Sequence, residues 1–428
     1  MTIKTSKIIQ AVGALGLGLA PVSAYLAIPG LGFFNLDRLL FFILILFVAF
    51  NLNKVAIKGA VRFSIGFAYA LMVLVLISFL VNEKSHITIF LAYNFFLTYF
   101  VFSLLVFCYQ RDGSNYEFGR EIFYSIIIIW SIAAIVFSGW ARYNQLVLGQ
   151  IIYPSFLELP ESSEVRYKIM MSHFRLFLPF PSAPPLGFMC LGIVLILIID
   201  LYKKTPISNK LKVFLISILL IIALATQSRS TLYAFLLSVV VLFSGNALFS
   251  SRNKKLKSIL IVASTVFLVP VSLLIFHSLD FGLGRLGLDI AEIMESRHLS
   301  IRLAAIQIIM TSDVKSFFWG QGVGTLLNYG IAPHTFTSYL TALYEVGIFG
   351  AIFYCLIIFS PILALLLRPR KRTRLYCYNL SEVSSIFVFI FVSNLFYEFK
   401  LLPVTAILIA YSIYMAQLKA DVTIRDRV

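Results

Sequence analysis

The segment from Pro333 to Glu345 carries one polar stripe in a strongly apolar chain. His334, Ser338, Thr341 and Glu345 follow at intervals of four, three and four residues, which places them on one face of a helix. Pro333 puts the imidazole at the helix N-terminus, where the helix dipole favours the neutral ring. A neutral imidazole can accept a proton from a hydroxyl group. The alternative role for the stripe is capping and close helix packing.

Arginine side chains supply candidate binding groups for an anion. Arg229 lies in the short turn of "ATQSRSTLYAFLL", Arg302 follows His298 by four residues, and Arg175 precedes a proline-rich entry to an apolar run. A guanidinium group stays charged and offers a planar set of donors that suits a phosphate or diphosphate. The alternatives are an arginine that reaches lipid headgroups and a surface helix whose charges face water.

Composition defines the class of protein that must position these residues. Hydrophobic residues make up 60% of the chain, charged residues only 13%, and the mean hydropathy is +0.94. Apolar runs of about 20 residues recur, and each is long enough to cross the hydrocarbon layer as a helix. We therefore predict an all-α polytopic integral membrane protein whose residues 1–428 form a single transmembrane domain.

The apolar runs predict about twelve transmembrane helices. Their expected positions are 8–28, 39–52, 62–82, 87–109, 122–140, 184–202, 211–227, 230–249, 258–277, 338–367, 381–397 and 401–418. Basic clusters such as "SRNKKLK" and "RPRKRTR" fall in alternate loops, which predicts that both termini are cytoplasmic. The net charge of +16 is therefore interpreted as an orientation signal and as contact with anionic lipid, with no role in binding nucleic acid.

This topology predicts two larger loops on the outer side. The first covers 141–183, and the second covers 278–337 and includes interfacial helices. Gly320, Gly322 and Gly324 predict a flexible turn in the second loop, and no predicted strand precedes them as a nucleotide-binding loop would require. The sequence shows no paired broken helices and few ionisable residues within spans, which argues against an ion-coupled transporter. We therefore expect the chemistry at the outer surface.

Three segments in this order carry a family resemblance. They are "QSRSTLYAFLL", "IRLAAIQIIMTSDVKSFFWGQGVGTL" and "HTFTSYLTALYEVGIFGAIFYCLIIF", with "RLFLPFPSAPPLGFMC" as a weaker fourth. The chain between about residues 170 and 365 resembles the O-antigen polymerase and O-antigen ligase superfamily of bacterial envelopes. Thr335 stands where that family has Asn, Ser or Gln, and Gly347 lies two residues farther from His334 than the family pattern places it.

The resemblance implies a GT-C-like fold and a metal-independent, inverting glycosyl transfer without a cofactor. The reaction would take place at the periplasmic face of the bacterial inner membrane, between an undecaprenyl-diphosphate-linked glycan donor and a glycan acceptor. His334 would be catalytic by assisting the acceptor. By the resemblance, Arg229 and Arg302 would bind the donor diphosphate, with Arg175 as a weaker candidate. Further candidates for supporting roles, which the resemblance does not assign, are Arg297, His298 and Glu345.

The expected activity is polymerisation of lipid-linked repeat units into O-antigen or a related surface polysaccharide. An O-antigen ligase, which transfers polymer to lipid A-core, is the alternative because it would use the same donor residues. A lipid-linked oligosaccharide flippase is the alternative from another class, although its cavity would need cationic residues within the spans. The expected partners are the two glycan substrates, membrane lipids and a chain-length regulator protein.

Overall fold

A computed structural model describes much of the chain. The described residues are 2–25, 36–50, 55, 59–82, 85–109, 117–147, 176, 178–180, 183–201, 207–250, 307, 314–325, 338–366, 374–396 and 402–425. Most of them are helical, no strand forms among them, and an isolated β-bridge pairs Val55 with Tyr109. The prediction of an all-α protein is confirmed over these residues.

The helices follow the predicted apolar runs closely. They are α1 (Thr2–Gly18), α2 (Leu36–Phe50), α3 (Ala60–Val81), α4 (Ile87–Phe107), α5 (Glu117–Val147), α6 (Ala183–Ile199), α7 (Asn209–Ala225), α8 (Arg229–Ser250), α9 (Val314–Trp319), α10 (Ser338–Leu366), α11 (Arg374–Phe396) and α12 (Pro403–Arg425), with a 3₁₀ helix at Ala20–Tyr25. The run predicted at 258–277 lies outside the described residues. Among those described, four segments are long and apolar enough to cross a membrane: Ala60–Val81, Ile89–Phe107, Phe118–Asn144 and Ser338–Leu366.

The chain divides into two compact units, and the first comprises Met1–Ala56, Val106–Val239 and Val266–Gly287. Its described part includes α6, which is buried along nearly its whole length and packs against α5 and α7. A helix that is apolar on every side is typical of a position surrounded by other helices. Pro184 and Pro185 lie in the first turn of α6, where a missing N–H removes no helical hydrogen bond.

The second unit comprises Ile57–Leu105, Val240–Thr265 and Leu288–Val428, and α10 is central to its described part. This 29-residue helix packs against α3, α9, α11 and α12. It is interrupted at Gly347, where φ is 81° and ψ is −175°. The sequence had predicted one continuous span here, so the interruption corrects that prediction. Its physical basis is that glycine adopts a positive φ without the steric cost of a Cβ.

One side of α3 in the second unit is buried and the other is exposed although it is apolar. Leu71 and Val75 are fully buried, whereas Phe63, Tyr69 and Leu80 are 56%, 57% and 71% exposed. A continuous exposed apolar face along a helix is uncommon on proteins surrounded by water and is typical of contact with lipid. The exposed face therefore agrees with the membrane-crossing length of α3.

Candidate functional site

The residues predicted to do chemistry are only partly described by the structure. His334, Arg302, Arg175, Arg297 and His298 lie outside the described residues. Two others lie within them: Arg229 is the first residue of α8, and Glu345 lies on α10. Arg229 belongs to the first unit and Glu345 to the second.

The turn before Arg229 is buried and closely packed in the first unit. Thr226, Gln227 and Ser228 are 0%, 7% and 5% exposed, and Gln227 has a positive φ of 51° in the turn between α7 and α8. A Cβ on Gly187 of α6 would lie 2.8 Å from the Thr226 Oγ1 atom, so α6 packs directly on this turn. As the sequence predicted, Arg229 follows a very short turn between two helices. Its role in binding stays a prediction.

The Glu345 carboxylate is buried in the second unit and is 2% exposed. Its Oε2 atom accepts a hydrogen bond of 2.7 Å from the Tyr93 hydroxyl of α4, and its Oε1 atom accepts one of 3.1 Å from the Gly324 backbone N–H. Ser338 and Thr341, which precede Glu345 on the predicted stripe, are also fully buried. From Ser338 onward the stripe faces the interior of this unit, as the packing alternative predicted.

The three glycines of the second loop form a buried turn, residues 320–325, which we call the glycine turn. Gly320, Gly322 and Gly324 all have positive φ values, of 80°, 107° and 80°. The turn occurs where the sequence predicts a flexible one, but it is buried and hydrogen-bonded, and it lies against α3, α4 and α10. Its backbone contacts the segment before α4, where the His86 N–H donates to the Val323 carbonyl over 2.8 Å.

The interruption in α10 is matched to the glycine turn by hydrogen bonds. The Gln321 N–H donates to the Tyr344 carbonyl over 2.8 Å, and the Gly322 N–H donates to the Glu345 carbonyl over 3.2 Å. The Ser78 hydroxyl of α3 also donates to the Glu345 carbonyl, over 2.6 Å. Buried backbone that is not helical requires internal partners for its polar groups, and the interrupted helix and the turn supply them to each other.

Glycine is required on both sides of this contact. A Cβ on Gly320 would overlap the carbonyl of Glu345, and a Cβ on Gly347 would overlap the carbonyl of Phe318. Both glycines also have positive φ, which L side chains rarely adopt. The sequence contains the signals for this contact in "GQGVG" and "EVG". It contains no local signal for Tyr93, which is 252 positions away from Glu345.

The short helix α9 presents aromatic side chains beside the glycine turn. Phe317, Phe318 and Trp319 are 39%, 40% and 41% exposed, and the Phe318 ring centroid lies 5.8 Å from that of Phe349 on α10. Trp, as at position 319, is enriched at the boundary between hydrocarbon and headgroups. The placement of this segment in an outer, interfacial loop stays a prediction.

A second buried polar cluster lies in the first unit, and sequence analysis missed it. Asp200, directly after α6, is 1% exposed and accepts a hydrogen bond from the Tyr124 hydroxyl. Arg120 lies 4.0 Å from the Asp200 Oδ2 atom, and the Lys212 Nζ atom donates to the Asp200 carbonyl over 2.6 Å. Lys212 lies on α7, within the run predicted at 211–227, and its side chain is fully buried.

Comparison with known proteins assigns no family to this chain. No protein-family model, no curated protein and no solved structure matches it. The family resemblance therefore depends on the quoted segments, and a function based on it is a proposal.

Proposed function

We propose that this protein is a polymerase of the O-antigen type. It would join undecaprenyl-diphosphate-linked oligosaccharide repeat units into O-antigen or a related surface polysaccharide at the periplasmic face of the bacterial inner membrane. The helical, membrane-crossing character of the chain supports the proposal at the level of protein class. The segments that resemble the O-antigen polymerase and ligase superfamily occur in the same order along this chain, and this order supports the proposed activity.

One structural observation supports the proposal most directly. Two of the segments that carry the resemblance, "SFFWGQGVGTL" and "SYLTALYEVGIFG", contact each other through the glycine turn and the interruption at Gly347. Only residues 326–337 connect them along the chain, and His334 lies in this connection. The proposed catalytic residue thus lies in the chain between two segments that contact each other.

The proposed reaction is a direct displacement. The hydroxyl oxygen of the acceptor sugar would attack the anomeric carbon of the donor, while the bond from that carbon to the diphosphate oxygen breaks. A neutral His334 would take the hydroxyl proton. Arg229, Arg302 and Arg175 would stabilise the negative charge that develops on the departing lipid diphosphate. Attack opposite the leaving group inverts the anomeric centre.

The test is the glycolipid profile of a deletion strain that carries single variants. His334→Ala and Arg302→Ala are each expected to leave the core bearing a single repeat unit. Loss of a general base, the proposed role of His334, slows such reactions by about 10²-fold or more. Loss of Arg302 would remove a charge that stabilises the departing diphosphate. Lys210→Ala, which removes an exposed lysine of α7, serves as the control and should restore normal polymer. Unchanged polymer length and yield in the His334 and Arg302 variants would contradict the assignments.

The same strain separates the polymerase from the other candidates. Bare core with accumulated lipid-linked polymer would indicate a ligase. Purified protein in vesicles with polyprenyl-diphosphate oligosaccharide provides the second measurement. Formation of longer lipid-linked glycans would support the polymerase, whereas movement of the intact oligosaccharide across the bilayer without elongation would indicate a flippase.

A further inference from the structure

We propose that Gly187 of α6 is a positioning residue for Arg229. Because Gly187 has no side chain, α6 approaches the start of α8 so closely that this contact determines where the first residue of α8, Arg229, lies. The consequence for glycosyl transfer rests on the proposed function, whereas the close approach does not. Gly187 acts through neighbouring side chains and does not touch the substrate.

The contact between α6 and the start of α8 leaves no room for a methyl group. A Cβ on Gly187 would lie 2.8 Å from the Thr226 Oγ1 atom, 3.0 Å from the Thr231 Oγ1 atom and 3.4 Å from the Ser228 Cβ atom. Nonbonded carbon atoms pack best at about 3.5–4.0 Å, so the first two distances are too short for a methyl group. The end of α7, the turn and the first turn of α8 therefore all pack on one residue of α6.

The two threonine hydroxyls that face Gly187 are held by hydrogen bonds. The Thr226 hydroxyl donates to the Ala223 carbonyl over 2.6 Å, and the Thr231 hydroxyl donates to the Ser228 carbonyl over 3.1 Å. Both threonines are fully buried. Rotating either hydroxyl away from a methyl group at position 187 would break its hydrogen bond in a buried site, which is costly. We therefore expect the start of α8 to move instead.

Arg229 lies between the residues that contact Gly187. Ser228 precedes it and Thr231 follows it by two positions, and the Leu232 N–H donates to the Ser228 carbonyl over 3.2 Å, which closes the first turn of α8. A shift of this turn away from α6 moves Arg229 with it, and relief of the overlap needs a shift of roughly 0.5–1 Å. A misplacement of about 1 Å costs on the order of 10²-fold in rate for a reaction that depends on orientation.

The structural test is amide hydrogen exchange of the purified, full-length protein in detergent. Gly187→Ala is expected to raise exchange over 226–232 by about five- to tenfold, the factor that corresponds to one lost hydrogen bond. Two matched controls lie in the same unit. A Cβ on Gly139 would meet open space, and a Cβ on Gly18 would lie 2.7 Å from the Ile129 side chain. Gly139→Ala and Gly18→Ala should both leave exchange over 226–232 unchanged.

The catalytic test uses these variants in the vesicle elongation assay. Gly187→Ala is expected to lower kcat/KM for the lipid-linked donor by about tenfold or more, because the group that stabilises the departing diphosphate is displaced. Gly139→Ala should keep kcat/KM within about twofold of wild type. Gly18→Ala should do the same even if its overlap lowers the melting temperature, because that overlap lies between α1 and α5.

A second substitution tests the contact itself. Thr226→Ala removes the hydroxyl nearest to Gly187 and makes room for a methyl group. In this background Gly187→Ala should lower kcat/KM by less than about threefold, because only the Thr231 contact stays short. If Gly187→Ala alone yields no folded protein, the double variant is expected to restore folding. The same loss with and without the Thr226 side chain would overturn the inference.

The outcomes separate this inference from the proposed function. Unchanged exchange over 226–232 in Gly187→Ala overturns the inference, whatever the protein catalyses. Raised exchange with unchanged kcat/KM, or an equal loss of kcat/KM in Gly18→Ala, overturns the positioning role. A wild-type protein that elongates no glycan overturns the proposed function together with the catalytic consequence of the inference. Raised exchange in Gly187→Ala would in that case still support the close contact of α6 with the start of α8.

Discussion

Two of the buried carboxylates of this protein, one in each unit, are held in different ways. Asp200 in the first unit lies near Arg120 and accepts a hydrogen bond from Tyr124, and its backbone carbonyl binds Lys212. Glu345 in the second unit accepts hydrogen bonds from Tyr93 and from the backbone of Gly324. The first arrangement places cations beside the acid, whereas the hydrogen bonds to Glu345 from Tyr93 and Gly324 come from neutral donors.

The difference teaches what each carboxylate does for its unit. Asp200 and Lys212 lie at the end of α6 and near the start of α7, so their contacts connect the ends of regular helices. Glu345 connects a regular helix with backbone that is not helical. Burying a polar group is costly unless its hydrogen bonds are satisfied. Glu345 meets this requirement through the glycine turn, so the turn and the acid stabilise each other.

The largest expected effect in the second unit comes from Gly347→Ala. The new Cβ would overlap the Phe318 carbonyl at a positive φ, and strain with overpacking of this kind costs roughly 2–6 kcal/mol. We expect a large loss of folded protein, measured as the yield of the monodisperse peak in size-exclusion chromatography. Gly66→Ala on α3 is the control, because its Cβ meets open space, and it should match wild type. Equal yields for both variants would show that the interruption in α10 is not needed for folding.

An intermediate effect is expected in the first unit from Lys212→Met. The substitution keeps the apolar stem but leaves the buried Asp200 carbonyl without this donor, which costs about 1–3 kcal/mol. The apparent melting temperature in detergent measures the loss. Lys210→Met, two residues earlier and exposed, should melt like wild type. If the two variants melted alike, the buried position of Lys212 would contribute nothing to stability.

The smallest effect is expected from Arg120→Gln. The Arg120 side chain is 27% exposed and its nearest guanidinium nitrogen lies 4.0 Å from the Asp200 carboxylate, so the pair contributes about 1 kcal/mol or less. Its effect on the melting temperature should shrink further as salt is added, because partly exposed charges are screened. A loss as large as that of Lys212→Met would mean that Asp200 depends on the cation as strongly as on its hydrogen bonds.

Sequence reasoning succeeded for features that depend on short stretches of chain. The positions of the helices follow from apolar runs, because backbone groups in a lipid-facing segment must bond to one another, and a helix satisfies them locally. The sequence also predicted the short turn near Arg229 and the turn at Gly320, Gly322 and Gly324. Both are local features, because glycine and helix-end signals act over a few residues. The proposed roles of His334, Arg302 and Arg175 are still predictions.

Sequence reasoning failed where two distant segments determine each other's conformation. Gly347 occurs inside an apolar run that predicts an unbroken helix, and glycines are tolerated in such runs. The interruption becomes favourable only when the glycine turn donates to the Tyr344 and Glu345 carbonyls. The burial of Lys212 could not be predicted for a similar reason, because its acceptor, the Asp200 carbonyl, follows a different helix.

The amino-acid sequence by itself determined that this chain is helical and apolar enough for a membrane, and it determined where most helices begin and end. Those properties arise because unpaired backbone groups in hydrocarbon are costly, and each helical segment pairs its backbone groups within itself. Only the tertiary structure decided which polar groups in those helices are buried and what they hold. The partners of Glu345 come from α4 and from the glycine turn, and a hydrogen bond across such a separation exists only after the helices have packed.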